Sequence, residues 1–129
     1  MSGIRIHFLS ALFLVLAAPQ ILFAQFNTIY WIPPDNAPFW IDSDTQMNVL
    51  PGGMVGGSFF SGQSDGSSTN MEINVSGGSI GDNMRAYAGT TINLTGGDIG
   101  DWFQSGDTFD VTDVVVNIDG GTLGDDARV

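Results

Sequence analysis

The sequence predicts an all-β fold: a short right-handed parallel β-helix (a β-solenoid) of about four partial coils with an N-terminal cap, after a cleaved signal peptide. A ten-residue phrase recurs along the chain, its strands alternate apolar and polar residues, and paired glycines follow each strand. Apolar residues do not return at the three- and four-residue spacing of a helix. One such unit cannot cover its own apolar face, whereas stacked units can, with inward Ile, Val and Leu forming ladders between coils about 4.8 Å apart.

Residues 1–24 have the layout of a secretory signal peptide. A short basic start at Arg5 and His7 precedes the apolar run 8–18, and Ala24 supplies a small residue for cleavage. A retained membrane anchor is the competing interpretation, but 11 apolar residues fall short of the roughly 20 that a helix needs to cross the hydrocarbon core. We therefore expect an exported protein, either secreted or held at the cell surface.

The charge balance of the exported part excludes several partners. Without residues 1–24, only Arg85 and Arg128 oppose 14 acidic residues, a formal net charge of 2 − 14 = −12. Phosphate backbones and anionic membrane surfaces would repel such a chain, so nucleic acid and anionic membranes are not expected as partners. The chain has no cysteine, which excludes disulfides and thiolate metal sites.

Residues 25–46 are predicted to form the N-terminal cap. This segment is rich in aromatic and proline residues, and a folded cap would cover strand edges that are otherwise exposed at the end of the solenoid. The alternative is a sugar-stacking platform, because aromatic faces suit pyranose rings, and its candidate residues are Trp31 and Trp40.

Residues 47–129 form the predicted repeat domain. Copies of the phrase apolar-Asn-apolar-x-Gly-Gly-x-apolar-Gly-Asp begin at Ile73, Ile92 and Val116, and a degenerate copy with one inserted residue begins at Met47. The Gly-Gly pairs are 25, 19 and 24 residues apart, a period typical of solenoids. An antiparallel sandwich would also have short strands and many turns, but it does not explain the return of one phrase.

Each part of the phrase has a structural interpretation. The apolar-Asn-apolar triplet is a short strand with both apolar side chains on one face. Gly-Gly permits positive φ and a corner, which makes the following glycines structural: Gly77, Gly78, Gly96, Gly97, Gly120 and Gly121. A second short strand and corner follow. Loops 63–69 and 107–113 are expected to absorb the unequal spacings.

The repeated asparagines predict a ladder of side-chain amides that hydrogen bond from coil to coil, at Asn48, Asn74, Asn93 and Asn117. Glycosylation is the alternative at Asn74 and Asn93, because each begins an Asn-x-Ser/Thr sequon. Recurrence at two positions without a sequon favours the ladder.

The aspartates of the repeat, Asp82, Asp101 and Asp125, are predicted to stack in a row about 5 Å apart. Either each carboxylate bonds amides of its own turn and stays hydrated, or Ca²⁺ neutralises the row. The sequence has Gly-Gly-x-x-Gly-Asp where the calcium nonapeptide repeat needs Gly-Gly-x-Gly-x-Asp. Calcium is thus a candidate ligand, and no other cofactor is expected.

Catalysis finds little support in the exported part of the chain. It contains no His, Cys or Lys, so these acid, base and nucleophile side chains are excluded. Paired carboxylates could serve glycoside hydrolysis, and Arg85 could assist lyase chemistry, but no partner base is identifiable. We therefore do not expect an enzyme and predict no catalytic residue.

Over residues 47–125 the phrase resembles the repeats of bacterial secreted and surface proteins with a right-handed parallel β-helix, of the pectin-lyase-like or adhesin and autotransporter-passenger type. The resemblance implies an extended scaffold that in some members carries polysaccharide-active sites. This chain is shorter and ends at Val129 without a polar cap. We expect a fragment of a longer reading frame, a degenerate paralogue, or an assembling unit.

The sequence is compatible with two functions. The first is a secreted, non-catalytic structural or adhesive element of the cell surface. The alternative is a carbohydrate-binding or polysaccharide-active module. The expected partners are cell-surface polysaccharide or further solenoid repeats of a longer chain.

Overall fold

The computed structural model describes residues 25–106 and 113–129. The predicted signal peptide and residues 107–112 of the second predicted loop lie outside the described residues. The described part contains no helix, and therefore none that could cross a membrane. Its strands are β1 (Thr28–Ile32), β2 (Trp40–Ile41), β3 (Thr45–Val49), β4 (Met54–Val55), β5 (Phe60–Ser61), β6 (Met71–Ile80), β7 (Arg85–Ala86), β8 (Thr90–Ile99), β9 (Gln104–Ser105), β10 (Val114–Ile118) and β11 (Thr122–Leu123).

The strands form two parallel sheets that run along the axis of a solenoid. The long sheet has the order β1-β3-β6-β8-β10, with β4 pairing with β6 and β11 with β8. The short sheet has the order β2-β5-β7-β9. Because successive coils contribute successive strands to each sheet, the prediction of an all-β parallel solenoid of about four turns is confirmed.

Stacked apolar columns fill the core between the sheets. The second apolar residue of each triplet forms one of them, in which Val49 pairs with Val75, Val75 with Leu94, and Leu94 with Ile118. The first three are fully buried, whereas Ile118 in the last described coil is 53% exposed. Burial therefore decreases toward the C-terminal end of the stack.

Unequal repeat lengths are absorbed outside the paired strands. Asn48 and Asn74 are 26 residues apart, whereas Asn74 and Asn93 are 19 apart, although each pair is in direct register. The longer coil carries its additional residues mainly in the loop 62–70 between β5 and β6, as predicted for residues 63–69.

The Gly-Gly corners differ from the prediction. Both β6 and β8 run through their glycine pairs as ten-residue strands with irregular register, so the expected corner is a distortion within one strand. Positive φ occurs at the second glycine only in the last two copies, at +77° in Gly97 and +76° in Gly121. Lack of room for a side chain is a stronger reason for glycine here than positive φ, because a Cβ on Gly78 would lie 2.5 Å from the carbonyl oxygen of Gly53 in the coil below.

The sharp corners lie one residue after the repeated Gly-Asp, a position that sequence reasoning did not identify. Residues there adopt left-handed φ angles of +57° to +61°, at Ser58, Asn83, Trp102 and Asp126. The amides of the first three donate to an aspartate carbonyl of the next coil over 2.7–2.9 Å. Asn and Asp tolerate this conformation, whereas tryptophan rarely adopts it.

The predicted capping segment, residues 25–46, contributes β1 and β2, which pair in parallel with β3 and β5. β1 is the outermost strand of the long sheet. Its Trp31 N–H donates to Asp35 Oδ2, and the Asp35 N–H donates to the Trp31 carbonyl, each over 2.7 Å. These bonds occupy backbone groups of an edge strand that could otherwise pair with another chain.

Candidate functional site

The four repeated asparagines lie in one row on the outer face of the long sheet. Asn74 Nδ2 donates to Asn48 Oδ1 over 3.0 Å, and the same bond recurs from Asn93 to Asn74 and from Asn117 to Asn93, each over 2.8 Å. Glu72 joins this row by accepting a 2.8 Å bond from Asn74. The amide nitrogens at both predicted sequons thus donate within the ladder.

The aspartate row links neighbouring coils rather than closing its own turns. Asp82 Oδ1 accepts the backbone N–H of Asp101 over 3.0 Å, and Asp101 Oδ1 accepts that of Asp125 over 2.8 Å. Asp82 and Asp101 thus bond an amide of the next coil, where bonding to amides of their own turns was one of the two expectations. In residues 25–106 and 113–129, no three His, Cys, Asp or Glu side chains form a group that could hold a metal, and calcium stays a prediction.

The two tryptophans predicted to stack on sugars lie on different sheets. Trp31 pairs with Asn48 at the edge of the long sheet, and Trp40 pairs with Phe60 in the short sheet. Their exposed fractions are nearly the same, 49% and 50%. The structure therefore does not bring them into one platform, and only Trp40 has aromatic neighbours around an open groove.

That groove, here called the aromatic groove, runs beside β2 and β5 and has a volume of about 550 Å³. Phe39, Trp40 and Phe60 supply exposed aromatic faces, Tyr87 also lines the groove but is only 8% exposed, and residues 62–64 form a polar wall. The Phe60 and Tyr87 rings are nearly parallel, at 6° with centroids 6.4 Å apart. This volume lies within the range of about 300–1,000 Å³ that is common for ligand sites in proteins.

Asp42 fixes the polar wall of the aromatic groove. Its carboxylate accepts bonds from the Ser68 hydroxyl, from Gln63 Nε2 over 3.1 Å, and from the Ser43 amide over 2.8 Å. These bonds, led by that of Ser68, hold the pKa of Asp42 below its ordinary value of 3.8. The loop between β5 and β6 is therefore tied to the coil below it.

Sequence reasoning missed most of the aromatic groove. It placed Phe39 and Trp40 in the predicted cap, with Trp40 as a candidate for sugar stacking, and it gave no role to Phe60 and Tyr87, which lie 20 or more residues further along the chain. The available signal was the position of Phe60, which follows the degenerate first repeat and lies 25 residues before Arg85. Aligning the repeats beyond the Gly-Asp would have placed Phe60 in register with Arg85, two positions before Tyr87.

The groove can bind by stacking and hydrogen bonding. Its aromatic faces suit the C–H faces of sugars, while the Gln63 amide and the Ser64 hydroxyl can bond to sugar hydroxyls. By its fold the chain is a β-solenoid repeat protein. No protein-family model, curated protein or solved structure matches it.

Proposed function

We propose that this protein is an exported, non-catalytic β-solenoid that serves as a structural or adhesive element of the cell surface. Its relatives would be bacterial secreted and surface β-helix proteins of the pectin-lyase-like or adhesin type. The observation that supports this function is the uninterrupted asparagine ladder over four coils. The ladder uses the outer face of the long sheet for cohesion between coils, as a scaffold requires.

The test of this proposal is the fate of the full-length chain expressed in a bacterium. Mass spectrometry of the N-terminus should find cleavage after Ala24, and protease added to intact cells should digest the cell-bound protein. A control variant with Leu14→Arg interrupts the apolar run and should block export. An uncleaved chain retained inside the cell would overturn the proposal.

Carbohydrate binding is the second candidate, and the aromatic groove favours it. Four aromatic side chains from three different coils surround one open space, and Trp40 and Phe39 are 50% and 90% exposed. Contiguous exposed apolar patches often mark ligand-binding grooves or interaction sites, and Phe39, Trp40 and Phe60 form such a patch here. A sugar chain would bury their faces and keep its hydroxyls in contact with the polar wall.

Matched tryptophan variants test this candidate. In a glycan-array or calorimetric assay, Trp40→Ala should weaken binding about tenfold, since one lost stacking contact is worth roughly 1.4 kcal/mol. Trp31→Ala removes an equally exposed tryptophan from the other sheet and should leave binding unchanged. Binding that depends on Trp31 instead would move the site to the long sheet, and absence of binding to any glycan would reject this candidate.

A further inference from the structure

The outer face of the short sheet carries one column of side chains, with one residue from each coil. In the parallel register Trp40 pairs with Phe60, Phe60 with Arg85, and Arg85 with Gln104. An isolated parallel bridge from Gln104 to Arg128 continues the column by one coil. In β2, β5, β7 and β9 the following residue is buried, so the column residues point outward. We call these five residues the outer column.

Both arginines outside the predicted signal peptide lie in the outer column. The exported part has no other basic residue against its 14 acidic ones, and Arg85 and Arg128 are both exposed. Their two guanidinium groups are therefore the basic side chains through which the exported part could bind an anionic group. A guanidinium group binds a carboxylate through two parallel N–H···O bonds, which makes it selective for that shape.

The spacing of the outer column matches that of an extended sugar chain. Neighbouring parallel strands are about 4.8 Å apart, so Arg85 and Arg128 are separated by about 10 Å along the axis, with Gln104 between them. An extended β-linked glycan advances along its axis by one sugar length, which is similar to this strand spacing. One sugar of such a chain would therefore lie opposite each column residue.

We propose that the outer column binds a linear glycan in which an acidic sugar alternates with a neutral sugar, aligned with the solenoid axis. Sugar rings stack on Trp40 and Phe60, and successive acid groups bind Arg85 and Arg128. Gln104 donates to a hydroxyl of the neutral sugar between them. This inference rests on the carbohydrate-binding candidate and adds the class, direction and register of the ligand.

The aspartate row explains why alternation is preferred to an acid on every sugar. Asp82, Asp101 and Asp125 each precede an outer-column residue by three positions, so a line of carboxylates runs beside the column. Repulsion from this line is screened only over about 8 Å at physiological ionic strength. An acid opposite Gln104 would meet this repulsion without a guanidinium group to offset it.

Calorimetric titration of the exported protein with three defined hexasaccharides tests the proposal. The probes are a hyaluronan hexamer, in which glucuronic acid alternates with N-acetylglucosamine, a galacturonic acid hexamer with an acid on every sugar, and a neutral chitin hexamer. The hyaluronan hexamer should bind at least tenfold more tightly than the other two. Arg85→Gln and Arg128→Gln should each weaken its binding about tenfold, because each removes a charge-assisted bidentate contact.

A charge-matched control separates the site from a general field effect. Val115→Glu lowers the net charge by one, as each arginine variant does, but Val115 is a 49% exposed residue of β10 in the long sheet. This variant should bind the hyaluronan hexamer like the parent. A loss as large as that of Arg85→Gln would show that net charge alone controls binding, and would overturn the proposal.

The remaining outcomes distinguish this inference from the candidate function on which it rests. Equal binding of the acidic and neutral hexamers, unchanged in the arginine variants, would refute the outer-column site while carbohydrate binding stands. Equal binding of the two acidic hexamers would refute alternation. No binding of any hexamer by a protein with a cooperative thermal transition would reject both.

Discussion

Leu94 and Ile118 occupy the same column of the solenoid core but differ in burial, and this difference predicts different costs of truncation. The two residues are direct partners in the β8–β10 pairing. Leu94 is fully buried, whereas Ile118 is 53% exposed. The perturbation is the pair of single variants Leu94→Ala and Ile118→Ala, which each remove branched aliphatic atoms from the same column.

The expected magnitudes follow from these exposures. Truncation of a fully buried leucine costs about 2–5 kcal/mol, because the lost transfer free energy is increased by the cavity that remains. We expect about 3 kcal/mol for Leu94→Ala, which lowers Tm by about 12–24 °C in a domain of this size. Because Ile118 is already about half exposed, Ile118→Ala loses roughly half as much transfer free energy and leaves little cavity. We therefore expect it to lower the free energy of unfolding by about 1 kcal/mol.

The assay is equilibrium unfolding in urea, followed by far-UV circular dichroism and repeated as a thermal melt. Val75→Ala serves as a second buried position in the same column and should resemble Leu94→Ala after allowance for its smaller side chain. The denaturant slope is compared among variants, because a terminal coil of a repeat protein can unfold separately. Equal losses of stability at Leu94 and Ile118 would refute the assigned gradient of burial along the stack.

Four further predictions concern single contacts, each checked by the Tm of the variant. Asn93→Ala removes two bonds of the ladder and should cost about 1–2 kcal/mol; an unchanged Tm would count against a cohesive ladder. Trp102→Asn should raise stability by up to about 1 kcal/mol, because Trp102 has φ +58° and asparagine tolerates that conformation better; a decrease would mean that its ring makes compensating contacts. Gly97→Ala should cost about 2 kcal/mol or more, since φ is +77° and a Cβ would meet backbone of the preceding coil; a neutral effect would contradict the close stacking there. Because its pKa is lowered in the folded state, Asp42 contributes stability above the unfolded value near 3.8, and the fold loses that contribution as pH falls through the folded pKa. Ser68→Ala should reduce this acid-dependent loss of Tm. An identical dependence of Tm on pH in the variant would rule out the Ser68 bond as its cause.

The long sheet could be predicted from sequence because its strands carry the repeated phrase. Alternation over the triplet assigns Ile92 and Leu94 to the core and Asn93 to the outer face, and recurrence then sets the register between coils. Those inferences need no knowledge of the loops, since a parallel stack aligns like positions. The ladder contacts at Asn93 are the direct consequence of that register.

The short sheet and the corners could not be predicted in the same way. Strands of two residues, such as Phe60–Ser61, are too short to reveal alternation, and the loop before β6 obscures their spacing. Asn83 is an ordinary residue for a left-handed corner, but Trp102 occupies the equivalent position against its local preference. There the hydrogen bond to the next coil determines the backbone, so tertiary stacking overrides propensity.

The two outer faces of the solenoid differ in the way expected of a scaffold that presents a binding surface. On the long sheet one column is asparagine at four successive coils, because each amide must match the one below it. The outer column of the short sheet changes at almost every coil, between aromatic, cationic and amide side chains. Stacking of like positions gives no reason for that variety. Departures from a local rule that bring no evident structural gain are expected at functional sites. The variable column, rather than the repeated one, is therefore where recognition of a ligand should be sought.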